Sequence, residues 1–393
     1  MMQASYDVVI IGGGVIGSSV AYHLSADPTF TGRIAVIERD PTYAASSSSL
    51  STSAIRQQFA TPANIRMSEY SIGFLRQVRD LLSVEGYDAD IGLREPGYLI
   101  LGGPSDIPAF QARNATQRAC GTKTELLTPE EAHRRHPWLR TDDLGIVSYG
   151  PEKEGWFDGP ALLQAFKRKA RSQGVEYIAG TVTGVEMAGA GRIGAVLLAD
   201  GNRLAAGTVV NAAGSWSGQV GRMAGLDVPV VPLKRCVFVF DSPEKLPDGP
   251  FIFDTSGFIF RPEGHLYICG TTPKAENAHD DFGMEVDHAL FDEVIWPALA
   301  HRIPGFEQLR LLRAWAGLYE HNLFDHSAII GRHPDVPNMV LACGFSGHGM
   351  MHSPAAGVGT SELILYGESR SVDIKPFAFE RIVANHPIAE HVY

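Results

Sequence analysis

The sequence predicts a mixed α/β (α+β) fold, in which a Rossmann-type dinucleotide-binding domain carries an inserted domain built on an antiparallel sheet. Three observations predict it. A glycine fingerprint follows the first predicted strand, a strand meander later returns to a second buried strand, and short alternating apolar runs occupy residues 227–275. The fingerprint is typical of a parallel sheet, and the alternating runs are typical of antiparallel strands.

The first element is a buried strand followed by a glycine-rich turn. Residues 7–11 form a short β-branched run, which is typical of a strand inside a parallel sheet, and a helix is predicted from residue 18. In a G-x-G-x-x-G turn, the first glycine permits a tight bend, the second lets backbone N–H groups approach a pyrophosphate, and the third lets helix pack on strand. The residues of this turn that we expect at the cofactor are Gly12, Gly14, Val15, Ile16 and Gly17.

A second strand is predicted at residues 34–37, and Glu38 and Arg39 follow it directly. Glu38 lies about twenty residues after the last glycine of the turn, the spacing at which a carboxylate accepts hydrogen bonds from a dinucleotide ribose. Residues 189–194 repeat the glycine spacing, but they lie between strand-like runs and no helix follows. We interpret them as a hairpin turn, so that the sequence predicts one dinucleotide site, near the N-terminus.

The order of the later elements distinguishes a flavin domain from a nicotinamide domain. A helix is predicted at residues 160–172, a strand meander follows, and residues 208–215 return as a buried strand. A nicotinamide domain would continue with alternating strands and helices. The order therefore favours an FAD-binding domain of the glutathione-reductase type.

Composition and charge exclude several classes of function. The chain of 393 residues has 33 Lys and Arg against 44 Asp and Glu, so we expect no binding to nucleic acid or to an anionic membrane. No stretch approaches the roughly 20 apolar residues of a membrane span, and the N-terminus lacks the pattern of a secretory signal. The four cysteines lie far apart and the histidines lack metal-ligand spacing. We therefore expect a cytoplasmic protein without disulfides and without a metal site.

Capping signals predict where two further helices begin. Residues 128–131 form a capping box with proline at the first helical position, which predicts a helix start. Ser353 and Pro354 predict another helix start, and Gly367 predicts the end of that helix. The family resemblance described in the next paragraph implies a substrate domain inserted between segments of the FAD-binding domain. The boundaries that we expect on that basis are 1–85, 145–225 and 325–393 for the FAD-binding domain, and 86–144 and 226–324 for the substrate domain.

In the order of its motifs, the chain resembles the D-amino-acid oxidase (DAO) superfamily of FAD-dependent oxidoreductases. The nearest branch is similar to sarcosine oxidase, dimethylglycine dehydrogenase and the FAD-dependent oxidoreductase domain-containing proteins. The resemblance covers nearly the whole chain. Besides the N-terminal fingerprint, it rests on the serine-rich loop with residues 54–59, and on residues 181–182, 211–216, 315–319 and 344–349.

The resemblance implies bound FAD. In the family, the loop matching residues 344–349 lies at the flavin ring, where its amides and the following helix dipole face the charge that develops at N1–C2=O. The cysteine that carries the covalent flavin bond in monomeric sarcosine oxidases is replaced by Gly317, so we expect FAD to be held noncovalently. The other residues that the resemblance places at the cofactor are Ser46, Ser47, Ser48, Ser49, Leu50, Val182, Ala213, Gly214, Trp216, Gly344, Phe345, Ser346, Gly347, Gly349 and Met350.

The resemblance also implies oxidation of the C–N bond of a small amino acid or secondary amine by hydride transfer to flavin N5, followed by hydrolysis of the imine. N-substituted glycines such as sarcosine, dimethylglycine or iminodiacetate are the expected substrates. The arginine matching Arg56 binds the substrate carboxylate in the family, a task that suits a planar guanidinium. The second carboxylate-binding cation of the family falls at Met351, so Tyr319 or His352 is expected to assist Arg56, while His348 contacts the ring or forms a hydrogen bond.

Several alternatives stay open on this basis. The lysine that family oxidases place near flavin N5 falls around residues 266–268, none of which is basic. The electron acceptor is therefore either oxygen or, for a dehydrogenase, an electron-transfer flavoprotein or quinone. A flavin-binding assembly factor with little turnover and an enzyme acting on an α-hydroxy acid or glycerol phosphate are further alternatives. If the source is eukaryotic, the resemblance implies a location in the mitochondrial matrix.

Overall fold

Two eight-stranded sheets organise the residues that this computed structural model describes, which are 3–189, 191–246, 248–272 and 278–390. The strands are β1 (Gln3–Ile11), β2 (Ile34–Glu38), β3 (Ala54–Ile55), β4 (Tyr98–Gly102), β5 (Glu125–Leu127), β6 (Ile146–Gly150), β7 (Gly155–Trp156), β8 (Glu176–Ala179), β9 (Val182–Met187), β10 (Ile193–Leu198), β11 (Arg203–Asn211), β12 (Val230–Asp241), β13 (Phe251–Phe253), β14 (Phe258–Glu263), β15 (Leu266–Thr271), β16 (Arg310–Asn322), β17 (Ile329–His333) and β18 (Val336–Cys343). The helices are α1 (Val15–Ala26), α2 (Pro62–Leu75), α3 (Val78–Leu82), α4 (Ile107–Ala119), α5 (Pro129–Arg135), α6 (Gly159–Ser172), α7 (Ser217–Met223), α8 (His288–Leu290), α9 (Trp296–Arg302), α10 (Gly349–Tyr366) and α11 (Glu380–Val383).

The first sheet has the order β17-β18-β11-β1-β2-β8, and β10 and β9 extend it from β11. Strand β1 runs parallel to β2 and β11, and β11 runs parallel to β18. Val8 and Ile10 join the core beneath α1, α6 and α10, whereas Val9 and Ile11 join a second core on the opposite face. Because both faces are covered, the strand is a continuous apolar run without alternation.

The predicted α/β fold is confirmed, together with its opening strand, helix and strand. Helix α1 begins at Val15, earlier than the predicted residue 18, directly after the glycine turn. Strands β9 and β10, which the segment 188–192 connects, are antiparallel, as a hairpin requires. Ala190, inside that turn, lies outside the described residues. The predicted capping box is also present: Thr128 N donates to Glu131 Oε2 at 3.0 Å, and Glu131 N donates to Thr128 Oγ1 at 3.2 Å.

The second sheet has the order β16-β12-β15-β14-β13-β4-β6-β5, and its neighbouring strands are antiparallel except for β13 and β4. The alternating runs of residues 236–240, 258–260 and 266–268 lie in β12, β14 and β15, so their prediction as antiparallel strands is confirmed. Strand β6 pairs with β4 and β5. Residues 146–150 therefore belong to this sheet, although the boundary expected at residue 145 assigned them to the FAD-binding domain.

Helix α10 begins at Gly349, earlier than the start predicted at Ser353 and Pro354. The prediction treated Pro354 as a first helical residue, but it lies inside the helix. Proline has no N–H for the carbonyl four residues before it, and the Ser353 hydroxyl instead donates to Met350 O at 3.0 Å. Gly367 ends the helix in the left-handed region, at φ +79°, as predicted.

The helices of the described ranges are too short or too polar to cross a bilayer.

Candidate active site

A cavity of about 430 Å³ lies between the two sheets. The turn between β1 and α1, residues 45–56, and the segment after β11 line it from the first sheet. Strands β12, β13 and β16 line it from the second sheet, and the loop that leads into α10 closes one end. Its volume is within the range of small-molecule and cofactor sites, and it joins the two glycine-rich segments that the sequence singles out.

The turn between β1 and α1 is tight enough to require glycine. Gly12 has a φ of +100°, and a Cβ on it would lie 2.3 Å from the Ala212 carbonyl oxygen. A Cβ on Gly17 would lie 1.9 Å from the Gly12 carbonyl oxygen. Gly17 therefore faces the strand and not the cavity, which agrees with its predicted role in helix packing.

The residues at this end of the cavity fit a dinucleotide. Helix α1 begins at Val15, whose N–H donates to Ser48 Oγ at 3.0 Å, and no side chain of its N-cap residue covers the helix start. Glu38 lines the cavity and accepts a hydrogen bond from Gly13 N at 2.9 Å. The Arg39 guanidinium lies 3.5 Å from the centroid of Trp216. FAD requires three such features: a helix N-terminus for its phosphates, a carboxylate for a ribose hydroxyl and a flat surface on which an aromatic base can stack.

The loop before α10 is pressed against β16. Gly347 has a φ of +93°, and a Cβ on it would lie 2.7 Å from the Tyr319 ring. Ser346 N donates to Glu320 O at 3.0 Å, and Ser346 Oγ accepts from Asn322 N at 2.9 Å. These contacts fix the loop, so that the start of α10 is directed at the cavity, where residues 346–351 form part of the wall.

Arg56 and His348 form a buried pair beside Phe59. Arg56 Nη2 lies 3.2 Å from His348 Nε2, and its guanidinium carbon lies 4.1 Å from the Phe59 ring centroid. Arg56 also donates to the Gln58 carbonyl oxygen. Burial, and then the positive charge of Arg56, lower the pKa of His348 well below its usual range. The imidazole is therefore neutral, accepts from Arg56 at Nε2, and carries its proton on Nδ1.

The segment that carries Arg56 is fixed by a buried carboxyl group. Glu154 Oε1 accepts from Gln57 N at 2.8 Å, and Glu154 Oε2 accepts from Gln58 Nε2 at 2.7 Å. Burial raises the pKa of Glu154 to about 7. Glu154 belongs to no motif of the sequence, because it is a distant residue that meets this segment where β7 pairs with β3.

His352 is not at the cavity, contrary to the prediction. Its Nε2 lies 3.2 Å from Ser68 Oγ, and its ring lies 5.2 Å from that of Phe59. Burial lowers the pKa of His352 to about 3, so the ring is neutral. Because helix α10 starts at Gly349, Met350 and Met351 lie at the cavity wall, whereas His352 is turned toward α2. We therefore remove it from the residues expected to contact substrate.

Most of the other predicted site residues do line the cavity. They are Gly12, Gly14, Val15, Ile16, Glu38, Arg39, Ser46, Ser47, Ser48, Leu50, Arg56, Val182, Ala213, Gly214, Trp216, Gly317, Tyr319, Ser346, Gly347, His348, Gly349 and Met350. Five predicted residues do not line the cavity: Gly17 and His352, described above, and three more that lie behind the cavity wall. Ser49 N donates to Ser46 Oγ within its loop, Gly344 N donates to Glu320 Oε2, and Phe345 is fully buried in the core.

Three charged residues that line the cavity, Asp40, Arg235 and Glu320, were not identified from the sequence. Arg235, on β12, donates from Nη1 to the Tyr319 hydroxyl. The strand-like run recognised in the sequence began one residue later, at Cys236. An alternating pattern extended by one residue would have placed Arg235 on the same face as Val237, which also lines the cavity. Glu320 follows Tyr319 on β16, and no motif of the sequence singled it out.

We expect Glu320 to make the stability of the protein depend on pH. Burial raises its pKa from the usual 4.5 to about 8, although the backbone N–H groups of Gly344 and Phe345 oppose this shift. Between pH 5 and 8 the folded protein thus holds a proton that the unfolded chain has lost, and the free energy of unfolding falls as pH rises. We expect Glu320→Gln to reduce this fall by about 2 kcal/mol, in urea unfolding measured at pH 5 to 8. An unchanged pH dependence would mean that Glu320 is ionised in the fold.

The cavity carries no feature of a covalent flavin bond to cysteine or of a metal centre. All four cysteines are among the described residues, and none of them lines the cavity. Within the same residues, no group of three or more His, Cys, Asp or Glu side chains is placed to hold a metal ion. Noncovalent binding of FAD stays a prediction.

Comparison with known proteins agrees with this site. The sequence model of the DAO family, described as FAD dependent oxidoreductase, matches residues 7–363. FAD-dependent oxidoreductase domain-containing protein 1 of Xenopus laevis is 40% identical over 418 residues, which cover 98% of this chain and 84% of that protein. Glycine oxidase of Geobacillus kaustophilus (strain HTA426) is 27% identical, with 97% of this chain and 98% of that protein covered.

The fold is also similar to that of solved structures. The crystal structure of L-proline dehydrogenase from P. horikoshii matches this fold with a TM-score of 0.87 at 25% sequence identity. The match covers 98% of this chain and 100% of that chain. The match to the family of FAD-dependent oxidoreductases confirms the predicted cofactor, FAD. The chain belongs to the DAO family of FAD-dependent oxidoreductases.

Proposed function

We propose that this protein oxidises the C–N bond of a small amino acid or secondary amine, with an N-substituted glycine as the favoured substrate. The observation that carries the proposal is the combination of an FAD cradle and two buried guanidinium groups, those of Arg56 and Arg235, in one cavity. A buried guanidinium favours a carboxylate ligand, which the amino acid supplies. FAD, when bound, accepts the hydride from the carbon next to nitrogen, and water then hydrolyses the imine to a carbonyl compound and an amine.

The chain's own residues orient the substrate and keep its reacting end dry. Arg56 is held by three neighbours, the Gln58 carbonyl, the His348 imidazole and the Phe59 ring, so its position is fixed before substrate arrives. His348 stays uncharged at neutral pH and is therefore no strong base. Removal of a hydride needs none, because the bonding electrons leave with the hydrogen. The apolar side chains of β12, β13 and β14 that line the cavity, Val237, Phe251, Phe253 and Ile259, exclude water.

The named relatives support an amino-acid substrate. Glycine oxidase and L-proline dehydrogenase are named for amino acids, and both are similar to this chain over nearly its whole length. One of the two is named an oxidase and the other a dehydrogenase. The relatives therefore do not favour oxygen over another electron acceptor.

A panel of substrates tests the proposal. FAD-bound protein is mixed without oxygen with sarcosine, dimethylglycine, iminodiacetate, glycine and proline, and with the matched α-hydroxy acids glycolate and lactate. We expect the flavin absorbance to bleach with at least one amino acid and with neither hydroxy acid. No bleaching by any amino acid or secondary amine would contradict the proposal and would favour a flavin-binding assembly factor.

Readmission of oxygen to the reduced protein then separates the two kinds of enzyme. The residues where family oxidases carry a lysine are buried here: Tyr267 belongs to the core of the second sheet, and Ile268 packs on Val237 and Val239. We therefore propose a dehydrogenase that uses an acceptor other than oxygen. Slow return of the flavin absorbance in air, and fast return with an artificial acceptor, are the results expected for it.

A further inference from the structure

A second arginine reaches the cavity from the sheet opposite Arg56. Arg235 belongs to β12, and its Nη1 donates to the Tyr319 hydroxyl. Its Nε and Nη2 atoms are buried and have no hydrogen-bond partner among the described residues. Within those residues no carboxylate forms an ion pair with it, and burial lowers the pKa of its guanidinium to about 10. A buried cation with a neutral partner and two unused donors is unfavourable unless an anion completes it.

The two unused nitrogens are the pair that binds carboxylates elsewhere in this protein. Arg203 donates from Nε and Nη2 to the two oxygens of Glu186, at 2.8 and 2.9 Å. Arg381 uses the same two nitrogens toward Asp325, at 2.8 and 3.0 Å. One edge of a guanidinium matches the two oxygens of a carboxylate in this way. In Arg235 the same edge meets no carboxylate of the described residues.

The acidic residue next to Tyr319 does not supply the missing charge. Glu320, the acidic residue next to Tyr319, is held in its protonated form at neutral pH because burial raises its pKa to about 8. Arg56 is fixed separately by Gln58, Phe59 and His348 on the side of the first sheet. Arg235 is thus held by a neutral partner of its own, the Tyr319 hydroxyl. A substrate whose one carboxylate binds Arg56 leaves the guanidinium of Arg235 without an anion.

We infer that Arg235 binds a second carboxylate of the substrate, which is therefore an N-(carboxyalkyl) amino acid with an acidic group on each side of the amine. This inference rests on the proposed function and narrows its substrate class. Arg56 binds one carboxylate from the side of the first sheet, and Arg235 binds the other from the second sheet. The amine between them is then held at both ends, which orients the carbon that loses its hydride.

Two unreactive ligands test the inference without turnover. Thiodiacetate and (methylthio)acetate carry sulfur where the substrate carries nitrogen, and they differ by one carboxylate. Their affinities are measured from the change in absorbance of the oxidised flavin. We expect thiodiacetate to bind the native protein about 100-fold more tightly, because it alone pairs the buried cation of Arg235. We expect Arg235→Gln to abolish this difference while the affinity for (methylthio)acetate is unchanged.

Two further variants complete the test. Lys234→Gln removes the neighbouring cation, whose side chain is exposed, and is expected to leave both affinities unchanged. Arg235→Lys keeps the charge but loses the paired donors, so an intermediate preference for thiodiacetate is expected. Equal affinities in the native protein would overturn the inference, even if Arg235→Gln fails to fold. An equal loss of both ligands in Arg235→Gln would also overturn it, since Arg235 would then bind the single carboxylate.

Substrate turnover separates failure of this inference from failure of the proposed function. Sarcosine and iminodiacetate differ in the same way as the two thioethers. Preferential reduction of the flavin by iminodiacetate supports the second carboxylate. Equal reduction by both compounds contradicts the second carboxylate and leaves amino-acid oxidation standing, whereas no reduction by any amino acid contradicts the proposed function itself.

Discussion

Purified Gly12→Ala protein is expected to be colourless, because it no longer retains FAD. A Cβ at this position would lie 2.3 Å from the Ala212 carbonyl oxygen, a backbone atom, and both residues line the cavity. The φ of +100° adds strain, because residues with a Cβ rarely adopt a positive φ. From the steric contact and the strain together, we expect the free energy of unfolding to fall by about 3 kcal/mol and the affinity for FAD to fall about 100-fold. FAD content per chain and urea unfolding measure the two effects.

Gly201→Ala is the matched control for this change. Gly201 also has a positive φ, +83°, but a Cβ on it would meet nothing within 4 Å. It lies in the hairpin between β10 and β11, away from the cavity. We expect a stability loss of about 1 kcal/mol from backbone strain and unchanged FAD content. Full FAD content in Gly12→Ala would show that the turn does not bind the cofactor.

Replacing Arg56 by methionine is expected to lower kcat/KM for the amino-acid substrate by about 1,000-fold. Methionine keeps much of the apolar stem of the side chain but removes the cation that we propose for the carboxylate. The pKa of His348 is expected to rise, because the charge of Arg56 is one of the causes that lower it. Rapid-mixing measurements of flavin reduction without oxygen test the first effect, and the NMR titration of His348 tests the second.

Two variants control for the loss of Arg56. Arg56→Lys keeps the positive charge but cannot present two parallel donors, so a smaller loss, about tenfold, is expected. Arg66→Met removes an exposed arginine of α2 whose Nη1 donates to the Cys120 carbonyl, and it is expected to leave kcat/KM unchanged. If Arg56→Met reduces the flavin at the native rate, the carboxylate is bound elsewhere in the cavity.

The cofactor end of the site was predictable because it depends on backbone geometry. The spacing of Gly12, Gly14 and Gly17 follows from what a strand, a tight turn and a helix start require, and these requirements are local in sequence. Glu38 was predictable for the same reason, since it ends the next strand of the same parallel sheet. Three of these four residues line the cavity, and Gly17 packs beneath it.

The substrate end was less predictable because it depends on contacts between distant segments. Arg235 and Tyr319 meet only through the pairing of β12 with β16. The direction of His352 depends on where α10 begins, and Pro354 suggested a later start than the structure has. Proline is common at the first helical position, but the Ser353 hydroxyl lets it lie inside this helix by taking over the Met350 carbonyl. That exchange places Met351, and not His352, at the cavity.

The central claim, that the flavin is reduced by oxidation of a C–N bond in this cavity, is tested most directly by product analysis after a single turnover without oxygen. FAD-bound protein is mixed with the substrate that bleaches it fastest, and the carbonyl product and released amine are quantified against the flavin reduced. One carbonyl and one amine for each reduced flavin is the predicted result. Bleaching without a carbonyl product, or a flavin that stays oxidised with every amino acid, would contradict the claim.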